Sequence, residues 1–120
     1  AYQGGGRGFD LSVLSQLEQW VQGTADGIRQ PDQTIWCELD PRIAAERLAG
    51  ARVPDRFESQ PVAFFEQVHL GYAKRADADP ARFARIDASK TKHAVWQQIT
   101  RALVQKGWLS IMVATPAGLE

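Results

Sequence analysis

Thr34-Ile35-Trp36-Cys37-Glu38-Leu39-Asp40-Pro41 is the stretch on which the fold turns. From Thr34 to Leu39 it is short, apolar-rich and β-prone, with Asp32 before it and Asp40-Pro41 after it, which predicts a strand. Asp40 can cap a helix, and Pro41 has the fixed φ suited to a first helical position, so a helix opens there and closes near Gly50. Working outward, Pro61 starts a helix with Phe64, Phe65, Val68 and Tyr72 on one face, and Asp79-Pro80 stops it after about Ala78. Phe83-Ala84-Arg85-Ile86-Asp87 then reads as a second strand. Ser89 or Thr91 caps a final helix that presents Val95, Ile99, Ala102 and Leu103 and ends at Gly107. Upstream, Asp10 caps a helix with Leu11, Leu14, Leu17 and Val21 at helical spacing, closed by Gly23 and followed by a polar turn through Gly27, Pro31 and Asp32. Strands separated by such helical connections pair in parallel, so the class is α/β, with parallel strands flanked by helices. Two strands alone leave two open edges and a thinly covered sheet; the expectation is half of an α/β domain.

Composition narrows the functional classes. The 120 residues hold 14 Lys+Arg against 14 Asp+Glu, and the basic residues are dispersed, so nucleic acid is not an expected partner. With 44% hydrophobic and 23% charged residues the chain reads as ordinary globular material. Its single cysteine excludes an intramolecular disulfide framework and a Cys-only zinc site. Cys37, His69 and His93 lack metal-ligand spacing, so no metal site is expected, and Cys37 reads as a small buried hydrophobe. Trp20, Trp36, Trp96 and Trp108 read as packing and interface surface. The longest apolar stretch, Ile111 to Ala114, is far short of the ~20 residues of a membrane span. No charged-then-apolar leader stands before Ala1, and the expected location is cytoplasmic.

Two segments carry unusual local chemistry. Gly4, Gly5, Gly6 and Gly8 surround Arg7, which predicts a loop whose backbone bends tightly or approaches something closely. The stretch from Gly50 to Gln60 carries Arg52, Pro54, Asp55, Arg56 and Glu58 and reads as a charged loop between two helices.

Taken in order, the landmarks Ala1-Tyr2-Gln3-Gly4-Gly5-Gly6-Arg7-Gly8, Gln30-Pro31-Asp32, Asp40-Pro41, Asp55-Arg56-Phe57-Glu58 and Ile86-Asp87-Ala88-Ser89 resemble the C-terminal part of a bacterial thymidylate kinase. The resemblance covers residues 1–108 and leaves 109–120 as a tail of uncertain structure. It implies part of a P-loop nucleoside-monophosphate kinase fold, and transfer of the ATP γ-phosphate to dTMP, with Mg²⁺, to give dTDP. It places Tyr2 under the deoxyribose, where a flat ring leaves no room for a 2′-hydroxyl, and Gln3 at the edge of the nucleotide pocket. A core tyrosine is the competing reading of Tyr2. Residues 50–60 correspond to the lid over ATP, in which Arg56 and Arg52, with Arg47 on the preceding helix, are candidates to stabilise the transferring phosphoryl group. Glu58 either orders the lid and approaches the acceptor, or only favours the next helix N-terminus. Asp87, Ala88 and Ser89 match the strand-end loop lining adenine, a position that open α/β sheets favour for ligands. Complete relatives are homodimers by the same resemblance. The chain departs from the pattern in having no G-x-x-x-x-G-K-[ST] phosphate loop, so taken alone it is expected not to turn over. A non-catalytic nucleotide-binding module, or a self-associating fragment of the same fold, is the alternative.

Overall fold

The computed structural model describes residues 1–51 and 61–110. A π-helical turn at Tyr2–Gly6 is followed by α1 (Leu11–Gln22), β1 (Gly23–Thr24), β2 (Gly27–Ile28), β3 (Thr34–Glu38), α2 (Pro41–Ala51), α3 (Val62–Ala78), β4 (Phe83–Asp87) and α4 (Lys92–Gln105). β3 and β4 pair in parallel, with Thr34 opposite Phe83 and Glu38 opposite Asp87. The parallel α/β arrangement expected from the two strand segments is therefore present.

The helix starts follow from short polar side chains that satisfy otherwise unpaired amides. Asp10 Oδ1 accepts from the Ser12 amide at 2.8 Å, and Asp40 Oδ1 from the Arg42 amide at 2.8 Å. At α4 the cap is Thr91, whose hydroxyl accepts from the Ala94 amide at 3.1 Å. Ser89 is instead committed to Asp87, to which its amide donates at 3.0 Å.

Three expectations are corrected. The polar turn after α1 contains a small antiparallel hairpin, with Gly23 opposite Ile28 and Thr24 opposite Gly27. The two-residue loop is Ala25-Asp26, the Thr24 hydroxyl donates to the Gly27 carbonyl at 2.8 Å, and Gly27 opens β2 with a positive φ of 113° that glycine tolerates; strands of two residues are too short to show alternation. Cys37 is exposed instead of buried. It points away from the Trp36 side of β3, which is an edge strand among the described residues. The glycine-rich opening is a π-helical turn, not an irregular loop. The Gly6 amide donates to Ala1 O at 3.0 Å and the Arg7 amide to Tyr2 O at 3.0 Å, both spanning five residues.

Glycine is needed there because the turn presses on α3. A Cβ on Gly5 would lie 3.1 Å from the Gln67 carbonyl oxygen, and one on Gly6 would lie 2.6 Å from Val68 Cγ2 and 2.9 Å from Phe64 Cε2. Gly6→Val is expected to cost about 1–3 kcal/mol through overpacking of this contact. An unchanged midpoint in urea unfolding would show that the turn does not sit on α3 in solution.

Burial is concentrated at the sheet. Trp36, Ala76 and Ile86 are the buried apolar residues among those described. By strand alternation Trp36 and Ile86 occupy opposite faces of the β3–β4 pair. The Trp36 face is covered by α3, through ring contacts with His69 and Tyr72, and α4 packs along β4. In contrast, Leu11, Leu17 and Val21 of the α1 stripe are 66, 43 and 80% exposed while Leu14 is half-buried, so most of that stripe is uncovered by the described residues. Trp20 and Trp108 accordingly lie at the surface, while Trp36 alone of the four tryptophans reaches the core.

Candidate functional site

A groove of about 780 Å³ opens where β3 and β4 end, lined in part by Glu38, Asp40, His69, Arg85, Asp87 and Ser89. Its position beyond the carboxyl ends of parallel strands is the one expected for a ligand. The loop after β4 forms one wall and is held from two helices. Gln98 of α4 grips the Asp87 backbone in both directions: its Oε1 accepts from the Asp87 amide at 2.9 Å, and its Nε2 donates to the Asp87 carbonyl at 3.1 Å. Arg47 of α2 donates from Nη1 to the Ala88 carbonyl at 3.1 Å and from Nη2 to the Ser89 carbonyl at 3.3 Å. The Asp87 carboxylate accepts from both the amide and the hydroxyl of Ser89, and the hydroxyl bond is the larger of the causes that lower its pKa. Arg47, Asp87, Ala88 and Ser89 thus come together in one place.

Beside them stands a charged cluster that sequence reading missed. Arg85 meets Glu38 through two bonds, Nε to Oε1 at 3.0 Å and Nη2 to Oε2 at 2.8 Å. His69 Nε2 lies 3.1 Å from Glu38 Oε2, and Arg85 Nη1 donates to Asp77 Oδ1 at 3.2 Å. The guanidinium also sits over the Trp36 ring at 4.9 Å. Hydrogen bonding from Arg85 holds the Glu38 carboxyl below its ordinary range, against a smaller opposing effect of burial. The register carried the signal: pairing Trp36 with Arg85 places that arginine one step from Glu38 on the same face.

The cluster makes a pH prediction. A carboxyl whose folded pKa is lowered contributes stability that is full above its unfolded pKa and is lost as pH falls through the folded one. Arg85 and Glu38 side chains are 42 and 28% exposed, so the contribution stays below about 1 kcal/mol. Glu38→Gln is therefore expected to be slightly less stable than the parent at neutral pH and to converge with it in acid. Unfolding curves across pH check this; a gap that widens in acid contradicts it.

Tyr2 and Gln3 lie elsewhere, on the π-turn against the start of α3. The Tyr2 ring meets Phe64 edge-on, with centroids 5.0 Å apart and planes at 79°, and Phe64 meets Phe65 at 5.5 Å. Gln3 contributes its carbonyl, which accepts from the Phe9 amide at 2.9 Å. Neither residue lines the strand-end groove. Arg52, Arg56 and Glu58 lie outside the described residues, as does most of the 109–120 tail.

A sequence model of the family described as thymidylate kinase matches residues 1–99. The chain belongs to the thymidylate kinase family. Thymidylate kinases of this family have the P-loop nucleoside-monophosphate kinase fold, to which the parallel β3–β4 pair and its helices conform. Similar proteins include the "Thymidylate kinase" of Albidiferax ferrireducens, 55% identical over 114 residues that cover 92% of this chain and 53% of the relative. That of Verminephrobacter eiseniae is 54% identical over 125 residues, covering 100% of this chain and 55% of the relative. That of Burkholderia cenocepacia is 45% identical over 103 residues, covering 86% and 48%. The chain spans about half the length of these curated thymidylate kinases. Among the described residues, no helix is long and apolar enough to cross a membrane, and no three His, Cys, Asp or Glu side chains gather to hold a metal ion.

Proposed function

We propose that this chain supplies the acceptor-side turn, the lid and the adenine-side loop of a thymidylate kinase, which transfers the ATP γ-phosphate to dTMP to give dTDP for dTTP synthesis. The observation that carries this reading is the family match over residues 1–99, together with a groove at the strand ends whose wall is the 87–89 loop. In this reading the backbone of Asp87, Ala88 and Ser89 lines adenine, and Arg47 and Gln98 keep that backbone in place. Tyr2 packs under the deoxyribose and Gln3 borders the pocket. Arg56 and Arg52 of the lid stabilise charge on the transferring phosphoryl group, and Glu58 orders the lid. Mg²⁺ arrives with ATP; among the described residues no three His, Cys, Asp or Glu side chains gather to hold it. The complete enzyme is a cytoplasmic homodimer with no nucleic-acid or membrane partner.

The phosphate loop is the part this chain does not hold, and its Lys and backbone amides are what position the donor phosphates. A chimera tests the assignment: this chain replaces the matching half of the Albidiferax ferrireducens relative, and dTDP formation from ATP and dTMP is followed. The chimera is expected to turn over and the chain alone to give no product. A folded chimera without kinase activity, or normal turnover by the chain alone, sinks the reading.

A further inference from the structure

We infer that Arg7 is a positioning residue that fixes the ring of Tyr2 and, through it, the preference for a deoxyribose over a ribose nucleotide. The proposal rests on the reading of Tyr2 given above. Its carrier is the π-turn. In an α-helix, with about 3.6 residues per turn, residue i+5 points well away from residue i. Here the turn is widened, and the Arg7 amide bonds the Tyr2 carbonyl across five residues, which brings the two side chains together. The Arg7 guanidinium then lies 5.5 Å from the Tyr2 ring centroid and 5.5 Å from that of Phe64, with Nη2 3.5 Å from the Tyr2 hydroxyl.

Tyr2 is consequently held on two sides, by the Phe64 edge and by a cation over its face. The glycines make this possible. Side chains at Gly5 and Gly6 would strike α3 and lift the turn away from Phe64. A ring that excludes one oxygen atom discriminates only while it is stationary, since a small tilt opens room for the hydroxyl. Arg7 touches no reacting atom in this scheme; it acts through Tyr2.

Two measurements test it. The chain holds two tyrosines, Tyr2 and Tyr72, so tyrosine-selective ring labelling gives two NMR signals that report each position. Arg7→Ala is expected to shift the Tyr2 ring signals and leave those of Tyr72 in place, with Arg7→Lys restoring part of the shift. Unmoved Tyr2 signals overturn the contact whatever the chimera does. In the chimera, the ratio of kcat/KM for dTMP to that for its ribose counterpart, 5-methyluridine 5′-monophosphate, is the functional readout. Arg7→Ala is expected to lower that ratio roughly two- to five-fold, the size of one exposed cation–π contact, and to add nothing once Tyr2→Ala is present. If Tyr2→Ala changes the ratio and Arg7→Ala does not, the Arg7 proposal fails and the reading of Tyr2 survives. If Tyr2→Ala leaves the ratio unmoved, the reading of Tyr2 fails and takes the proposal with it.

Discussion

Trp36→Ala is expected to cost about 3–5 kcal/mol, the usual loss when a buried aromatic is truncated to alanine. Trp36 is 9% exposed and is the large member of the described core, beside Ala76 and Ile86 at 3% each. Its ring stacks on Tyr72 with centroids 5.6 Å apart and planes at 26°, meets His69 at 5.4 Å, and lies under the Arg85 guanidinium at 4.9 Å. Truncation therefore opens a cavity between β3 and α3 and strips the ring from a cation that the Glu38 cluster depends on. Small domains have a net stability of only about 5–15 kcal/mol, so the loss is a large share of the total. Circular dichroism during thermal unfolding should show a transition shifted far down or absent. Trp36→Phe, which keeps a ring, should recover much of it. A transition that survives Trp36→Ala unmoved means the β3–α3 contact is not what holds this chain together.

Ile86→Ala tests the other face. Ile86 is 3% exposed, and as the partner of Cys37 in the parallel register it points away from Trp36. The expected cost is about 2–5 kcal/mol, against about 0.5–1.5 for Ile86→Val, which removes a single methylene. Ile35 of β3 is 38% exposed, and Ile35→Ala should cost clearly less than Ile86→Ala. Denaturant midpoints for the three variants give the ranking. A loss at Ile86→Ala as small as that at Ile35→Ala would place Ile86 at the surface and dissolve the second half of the core.

How far these features are legible in the sequence depends on the range of the interaction. The strands Thr34–Glu38 and Phe83–Asp87, the caps at Asp10 and Asp40, and the parallel class are written in local residue patterns and connection lengths, and they were readable. The place of the groove followed from topology. The Glu38 cluster was not readable, because Glu38 meets His69 from 31 positions away and Arg85 from 47, and only strand register joins them. Arg47 likewise reaches Ala88 across 41 positions, so its place on that loop could not be seen in the lid segment alone. The π-turn escaped for a different reason. Three consecutive glycines have no side chains and so carry no periodicity; what shapes them is the surface of α3 pressing from outside. Cys37 misled because residue type suggests burial, whereas among the described residues β3 is an edge strand and α4 packs along β4, leaving Cys37 uncovered.

The Thr34 amide donates to Arg82 and the Glu38 carbonyl accepts from Ala88, so the even-numbered residues face β4 and the amides of Ile35 and Cys37 look outward. Deuterium uptake along this strand should alternate like the teeth of a comb, rapid at 35 and 37 and slow at 36 and 38. Any polypeptide that lays itself along this rim would silence the odd teeth and leave the even ones unchanged.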